Sequence, residues 1–199
     1  MSYKLYTKTG DKGLTNLYDM RRIGKHETIF DVLGNLDELS CYIGKLLVEE
    51  KEKEKEKEKE KEKEKEKEKE PFLRKIQSLI LDISSDIATT TKRDNLITVT
   101  EEDIKYIEKK IDFYHSKCPP LKQFILTGIN DREVTAHLCR TLCRRSERSL
   151  WKLYNQYIET QDQCHISNDV FIYINRLSDF FFAYARYLSD GEEYTRYQI

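Results

Sequence analysis

The segment CRTLCRRSERSLW, Cys139 to Trp151, concentrates the residues best suited to chemistry. In a helix, Arg140, Arg144 and Arg148 fall at i, i+4 and i+8, so three guanidinium groups line one face. Glu147 follows Arg144 by three residues and shares that face, and Arg145 adds a cation beside it. Such crowding is self-repulsive unless an anion or carboxylates neutralise it. The planar guanidinium fork binds two oxygens at once, which suits phosphate. Taken alone, a solvated charged face is the commoner origin of such a stripe.

A second group lies near the N-terminus. YTKTGDKGLTN holds two of the seven glycines, Gly10 and Gly13, with three threonines and two lysines. Short polar residues around glycine make a loop whose N–H groups can face an anion, although an ordinary turn has the same composition. It is not a Walker A loop, because only Asp11 and Lys12 separate the glycines. Arg21, Arg22 and Lys25 add positive charge downstream. No Ser-His-Asp set and no paired carboxylates suggest acid-base or nucleophilic catalysis.

Composition narrows the classes. Residues 51–70 are ten Lys-Glu repeats, holding ten of the 35 basic and ten of the 36 acidic residues, so the net charge is −1 with or without them. That argues against a nucleic-acid binder, which should be basic overall. No apolar run approaches membrane-spanning length, and MSYKLYTKTG has neither a signal-peptide core nor a transit-peptide pattern. Five cysteines without framework spacing predict reduced, packed thiols rather than disulfides or zinc.

The elements that must hold these residues are helices. Ile29, Val32, Leu33, Leu36, Leu39, Ile43, Leu46 and Leu47 keep a helical period. Asp37 lies one turn after Leu33, either at the boundary or positioned to pair with a buried arginine such as Arg140. The alternating Lys-Glu tract has no apolar face and predicts a solvated, mobile insert. Pro71 restarts order, and Phe72, Ile76, Leu79, Ile80, Ile83 and Ile87 predict a second helix. Thr100 with Asp103 reads as a capping box opening a third. Asn130, with Glu133 three residues on, is the expected N-cap of the arginine helix, in which Leu138, Leu142, Ser149 and Leu153 turn inward. Residues 155–169 read as a polar connection. The last helix runs from about Asn168 to Ser189, with Asn175, Asp179 and Phe182 beside its core stripe, and a frayed tail follows Gly191. With no strand alternation, the expected fold is all-α, one domain over 1–199: a five-helix antiparallel bundle carrying a charged low-complexity insert.

Several strings share one resemblance. YTKTGDKGLT (Tyr6–Thr15), GNLDELSCYIG (Gly34–Gly44), IQSLILDISSDIAT (Ile76–Thr89), FILTG (Phe124–Gly128) with CRTLCRRSER (Cys139–Arg148), and INRLSDFFFAYARY (Ile174–Tyr187) occur in this order. Together they resemble the ATP:cob(I)alamin adenosyltransferases of the trimeric, propanediol-utilisation type, whose bundle is ferritin-like. Thr127 and Ile129 replace that family's proline and second glycine, Leu17–Tyr18–Asp19–Met20 replaces a glycine-rich segment, and Ser146 replaces an alanine.

The resemblance implies transfer of the 5′-deoxyadenosyl group of ATP to cob(I)alamin. It implies an ATP-binding N-terminal loop over 1–27, with Thr7, Lys8, Thr9, Gly10, Thr15 and Asn16 around the phosphates. Lys25, Arg144, Arg145 and Arg148 would neutralise the triphosphate, Arg144 acting in catalysis. Glu147 would orient the arginines or hold Mg2+, and Asn175 would bind the nucleotide. Phe124 and Phe182 would wall the corrin ring, and Asp37 would pair with Arg140 across a subunit boundary. Implied partners are a second and third copy of the chain, a cobalamin reductase and a cobalamin-dependent enzyme. The implied compartment is the cytoplasm, or the mitochondrial matrix after presequence removal. Competing readings are an ATP- and cobalamin-binding regulatory or delivery protein without turnover, and a helical scaffold acting through the Lys-Glu tract.

Overall fold

The structure, a computed structural model, describes residue 4 and residues 6–57, 69–89, 99–160 and 166–195. Five helices dominate: α1 Thr28–Lys57, α2 Lys69–Ile87, α3 Glu101–His115, α4 Asp131–Glu159 and α5 Asn168–Leu188. Among the described residues, no helix is long and apolar enough to cross a membrane.

The apolar periods become one core. Every position in the α1 stripe is buried except Leu33, which packs against the rim, and all six positions in the α2 stripe are buried. The α4 helix lies between α1 and α5, and its long-range contacts fix their directions. Asn35 donates to Ser149 Oγ (2.9 Å), Lys45 to Thr135 Oγ1 (2.8 Å) and Arg132 to Glu50 (2.9 Å), so α1 and α4 run antiparallel. The Arg132–Glu50 pair is largely shielded from solvent, and Asp190 Oδ2 lies 3.7 Å from the same guanidinium. Trp151 meets Phe171 and Asn130 meets the Leu188 carbonyl, so α4 and α5 are antiparallel too. The α3–α5 pair runs parallel: Glu108 meets Arg176, and Tyr114 meets Phe180, Tyr184 and Tyr187.

Among the described residues, four short strands depart from the all-helical expectation. Strands β1 (Leu14–Asn16) and β2 (Arg22–Gly24) form a hairpin, and β3 (Ile125–Leu126) pairs antiparallel with β4 (Tyr194–Thr195). The expected frayed tail is therefore paired as far as Thr195. Two- and three-residue strands are too short to show a period, which is why alternation does not announce them. The expected connection over 155–169 also begins late, since α4 continues to Glu159. Of the Lys-Glu tract, residues 51–57 extend α1 and residues 69–70 open α2, with Pro71 in the first turn where its missing N–H costs nothing. The expected mobility of the tract falls mainly on residues 58–68, outside the described residues.

The α3 cap forms as expected. The Thr100 hydroxyl accepts from Asp103 N, the Asp103 carboxylate accepts from Thr100 N, and Lys75 Nζ lies 2.7 Å from the same carboxylate. Burial works to raise the Asp103 pKa, but Lys75 and the Thr100 bonds outweigh it and hold the group below its ordinary value. In urea denaturation at neutral pH, Thr100→Ala should lower the unfolding free energy by about 1 kcal/mol.

Candidate active site

Helix α4 starts at Asn130, whose side chain accepts from Glu133 N at 3.0 Å. Its inner face is core, including Ala136, Cys139, Leu142, Cys143, Leu150 and Leu153. Burial raises the pKa of both cysteine thiols, as suits packing rather than reactivity. Leu138, expected to point inward, is 38% exposed. It lines a cleft of about 370 Å³ between α1 and α4 with Glu38, Tyr42, Arg145 and Arg148.

The arginines divide by partner. Arg145 is exposed and ion-paired with Glu38 of α1. Arg140 is half-buried and donates from Nε to His137 Nδ1 at 3.2 Å. Burial, and then the neighbouring Arg144 guanidinium, lower its pKa, as expected for positive charge short of compensation. Arg144 and Arg148 are exposed, and among the described residues neither has a carboxylate partner. Arg148 only donates to the Arg144 carbonyl, at 3.0 Å. Asp37 is also exposed, and no ion pair joins it to Arg140 within the chain.

Glu147 and Asn175 are brought together, and Asn175 Nδ2 donates to Glu147 Oε1 at 3.0 Å. Asn175 Oδ1 in turn accepts from Arg176, which bonds Glu108. Glu147 is thus held by α5, not by the arginines it was expected to orient. With Arg148, Trp151, Lys152 and Asn155 it lines an open cleft of about 610 Å³. Among the described residues, no three His, Cys, Asp or Glu side chains cluster as a metal cage.

The N-terminal loop is a separate cationic cradle. Lys8 (φ 59°) and Gly13 (φ 75°) turn the backbone through the left-handed region. Arg22 donates to the Thr9 carbonyl at 2.5 Å, the Thr7 and Thr9 hydroxyls are 2.9 Å apart, and Lys25 N donates to the Gly13 carbonyl at 2.9 Å. Lys25 Nζ sits over Gly10, where an added Cβ would lie 3.0 Å from the ammonium. Thr15 and Asn16 belong to β1, and Tyr18 N docks the hairpin on the Ala88 carbonyl at the end of α2. Among the described residues, no hydrogen bond or ion pair joins this loop to Arg144 or Arg148.

The third part is β3 with Phe124 just before it and the turn that leads into α4. Phe124 is 85% exposed, an uncommon setting for an aromatic ring in a folded chain. Phe182 is half-buried, its ring centroid 6.1 Å from that of His137, and no ring contact joins it to Phe124. Three residues that the sequence did not assign to the site govern this end, Glu133 having been read only as a cap partner. Arg186, its side chain fully buried, donates to Glu193 (2.7 Å) and the Pro119 carbonyl (2.6 Å). Glu133 is 2% exposed and accepts from Gly128 N (3.0 Å) and Ile129 N (3.1 Å). His137 lies beside its other oxygen. The i, i+4 spacing of Glu133 and His137 was a readable signal, whereas nothing local marks an arginine amid aromatics as buried.

Because His137 Nδ1 accepts from a guanidinium, the imidazole is neutral with its proton on Nε2. Nε2 lies 3.1 Å from Glu133 Oε1 but off the hydrogen-bond direction. Burial first, and then Arg140, push the group down to about 4. The folded value lies below the unfolded 6.5, so the unfolded chain binds more protons between the two. The stability contribution is full above the unfolded value and is lost as pH falls toward the folded one. Urea titrations at pH 7.5 and 5 should show wild type losing up to about 2 kcal/mol more than His137→Gln.

The family pattern of cobalamin adenosyltransferases matches residues 5–188. A corrinoid adenosyltransferase of Bacillus subtilis is 36% identical over 183 residues, covering 92% of this chain and 85% of that protein. The mouse corrinoid adenosyltransferase MMAB is 35% identical over 196 residues, covering 95% and 74%. A phenylalanine-to-alanine variant of a PduO-type ATP:corrinoid adenosyltransferase from Lactobacillus reuteri, solved with cobalamin and ATP, superposes with a TM-score of 0.78 at 29% identity. The match covers 98% of this chain and all of that one. An arginine-to-lysine variant, complexed with ATP, superposes with a TM-score of 0.77 at 29% identity, covering 96% and 99%. The five-helix bundle, the exposed guanidinium face and the N-terminal cradle belong to a chain of the cobalamin adenosyltransferase family.

Proposed function

We propose that the protein transfers the 5′-deoxyadenosyl group of ATP to cob(I)alamin, giving adenosylcobalamin and triphosphate. The observation that carries this, given the family, is the pair Arg144 and Arg148, exposed and without carboxylate partners among the described residues, beside the Glu147–Asn175 bond. Such a face suits a polyphosphate. Cobalt in the +1 state is itself a strong nucleophile, so attack on the 5′ carbon needs no general base from the protein. The chain's task is to align the reactants and stabilise charge on the departing triphosphate.

In this reading Thr7, Lys8, Thr9 and Gly10, with Thr15 and Asn16, cradle phosphate oxygens, and Lys25 adds an ammonium over Gly10. Arg144, Arg148 and Arg145 face the triphosphate, Arg145 by exchanging Glu38 for it. Asn175 holds the nucleotide while bonded to Glu147. Glu147 has its second oxygen for Mg2+, an ion commonly bound by one or two carboxylates plus substrate phosphates. There it would supply further charge neutralisation. Phe124 and Phe182 supply an apolar wall that excludes water and a lower axial ligand from the corrin. In the two Lactobacillus reuteri enzymes the substituted phenylalanine and arginine stand 20 positions apart, as Phe124 and Arg144 do here.

The assembly in this reading is a homotrimer with sites between subunits. Three observations motivate it: the cradle and the arginine face do not meet within the chain, Asp37 and Arg140 lack each other, and Phe124 projects into solvent. A reductase delivers the electron that produces cob(I)alamin, and a cobalamin-dependent enzyme takes the product. The free thiols Cys41, Cys118, Cys139 and Cys143 suit a reducing compartment, the cytoplasm or the mitochondrial matrix.

The test is an anaerobic assay with chemically reduced cobalamin and ATP, following loss of cob(I)alamin absorbance. Wild type should turn over, and Arg144→Ala should lower kcat at least about a hundredfold. A folded, ATP-binding wild type without turnover would mark a delivery or regulatory protein. Sedimentation at micromolar concentration should give a trimer, and a monomer would remove the shared-site arrangement.

A further inference from the structure

We propose that Glu133 is a positioning residue for the reaction above, on which this inference rests: its carboxylate locks the Phe124 turn to the arginine helix. A glutamate at the third position of a helix ordinarily reaches back to the N-cap N–H. Here Asn130 is the N-cap, and its side chain is engaged on both sides, accepting from Glu133 N and donating to the Leu188 carbonyl at 2.9 Å. Glu133 instead reaches beyond Asn130, and one oxygen accepts both Ile129 N and Gly128 N. Its other oxygen lies 3.1 Å from His137 Nε2, and His137 Nδ1 receives Arg140 Nε. One buried carboxylate on α4 therefore holds the turn that follows β3 by two hydrogen bonds, with the Arg140-bonded imidazole packed against its other oxygen.

The turn needs such a restraint. Gly128 sits at φ 122°, a conformation open mainly to glycine. Thr127 and Ile129 stand where the sequence departs from the family string, and neither fixes its own backbone as proline would. Two charge-assisted bonds from Glu133 supply the rigidity from outside the turn. The arrangement is self-enforcing: if the turn moved, a carboxylate 2% exposed would lose its two backbone donors. Upstream, Ile125 and Leu126 are held by β4, so Phe124 projects from a segment fastened at both its strand and its turn.

The experiment compares wild type, Glu133→Ala and Glu133→Gln as full-length chains. Amide hydrogen exchange over 124–130 should accelerate at least about tenfold in E133A, while α5 amides stay unchanged. E133Q, whose amide oxygen still accepts, should stay within about threefold of wild type. Titration with cob(II)alamin in the presence of ATP should show a corrinoid Kd raised about tenfold in E133A and largely recovered in E133Q. The KM for ATP should stay within about twofold. If E133A does not fold, Glu133→Asp, which keeps the charge but shortens the reach, must show the same split. Unchanged exchange over 124–130, equal acceleration in α5, or an ATP KM that moves as far as the corrinoid Kd would overturn the proposal. Absence of turnover in wild type would sink the functional reading instead, while exchange and cob(II)alamin binding still decide the clamp.

Discussion

Helix α4 must keep one face dry while holding unneutralised positive charge on the other. The inner face does this with small and aliphatic side chains packed between α1 and α5. The outer face sets Arg144 and Arg148 one turn apart, and among the described residues no acid is paired with them. Repulsion between two exposed guanidinium groups is modest in water and is tolerated because the buried half of the helix fixes the backbone. The same face becomes strongly attractive once a polyanion displaces water. Much of the surrounding polar structure keeps acids elsewhere: Glu38 is taken by Arg145, Glu50 by Arg132, and Glu147 is bonded by Asn175.

Three separate devices flank that helix. The cradle depends on a short hairpin and a lysine folded back over glycine. The Glu147–Asn175 bond joins α4 to α5 through a run of polar side chains ending at Glu108. The Phe124 turn hangs from the start of α4. In the functional reading, each addresses a different part of the reaction: phosphates, nucleotide and corrin. In this reading none is given a proton-transfer role, in keeping with a reaction whose nucleophile arrives already activated.

The sequence was most legible where periods are long. The α1 and α2 stripes, both expected N-caps and the arginine face stand as read, because each rests on local spacing. The strands were hidden, since β3 and β4 are two residues long and lie about 70 positions apart. The exposure of Leu138 was misread because the groove between α1 and α4 opens at that point. Asp37 and Arg140 were readable as a complementary pair, yet a single chain leaves them apart. Glu133 was identified only as a cap partner. Its reach past the N-cap depends on the backbone path of the turn, which no residue spacing encodes.

The pairing of β3 with β4 has a consequence for how the chain is made. Strand β3 precedes the arginine helix, but its partner follows the last helix, at residues 194–195 of 199. During synthesis β1 and β2 leave the ribosome together and can pair at once. The segment beside Phe124 must wait until β4, about 70 residues later, has emerged. The proposed corrin-facing surface then takes shape after the β1–β2 hairpin, so a translation product interrupted before β4 would carry the hairpin of the phosphate cradle without a finished apolar wall.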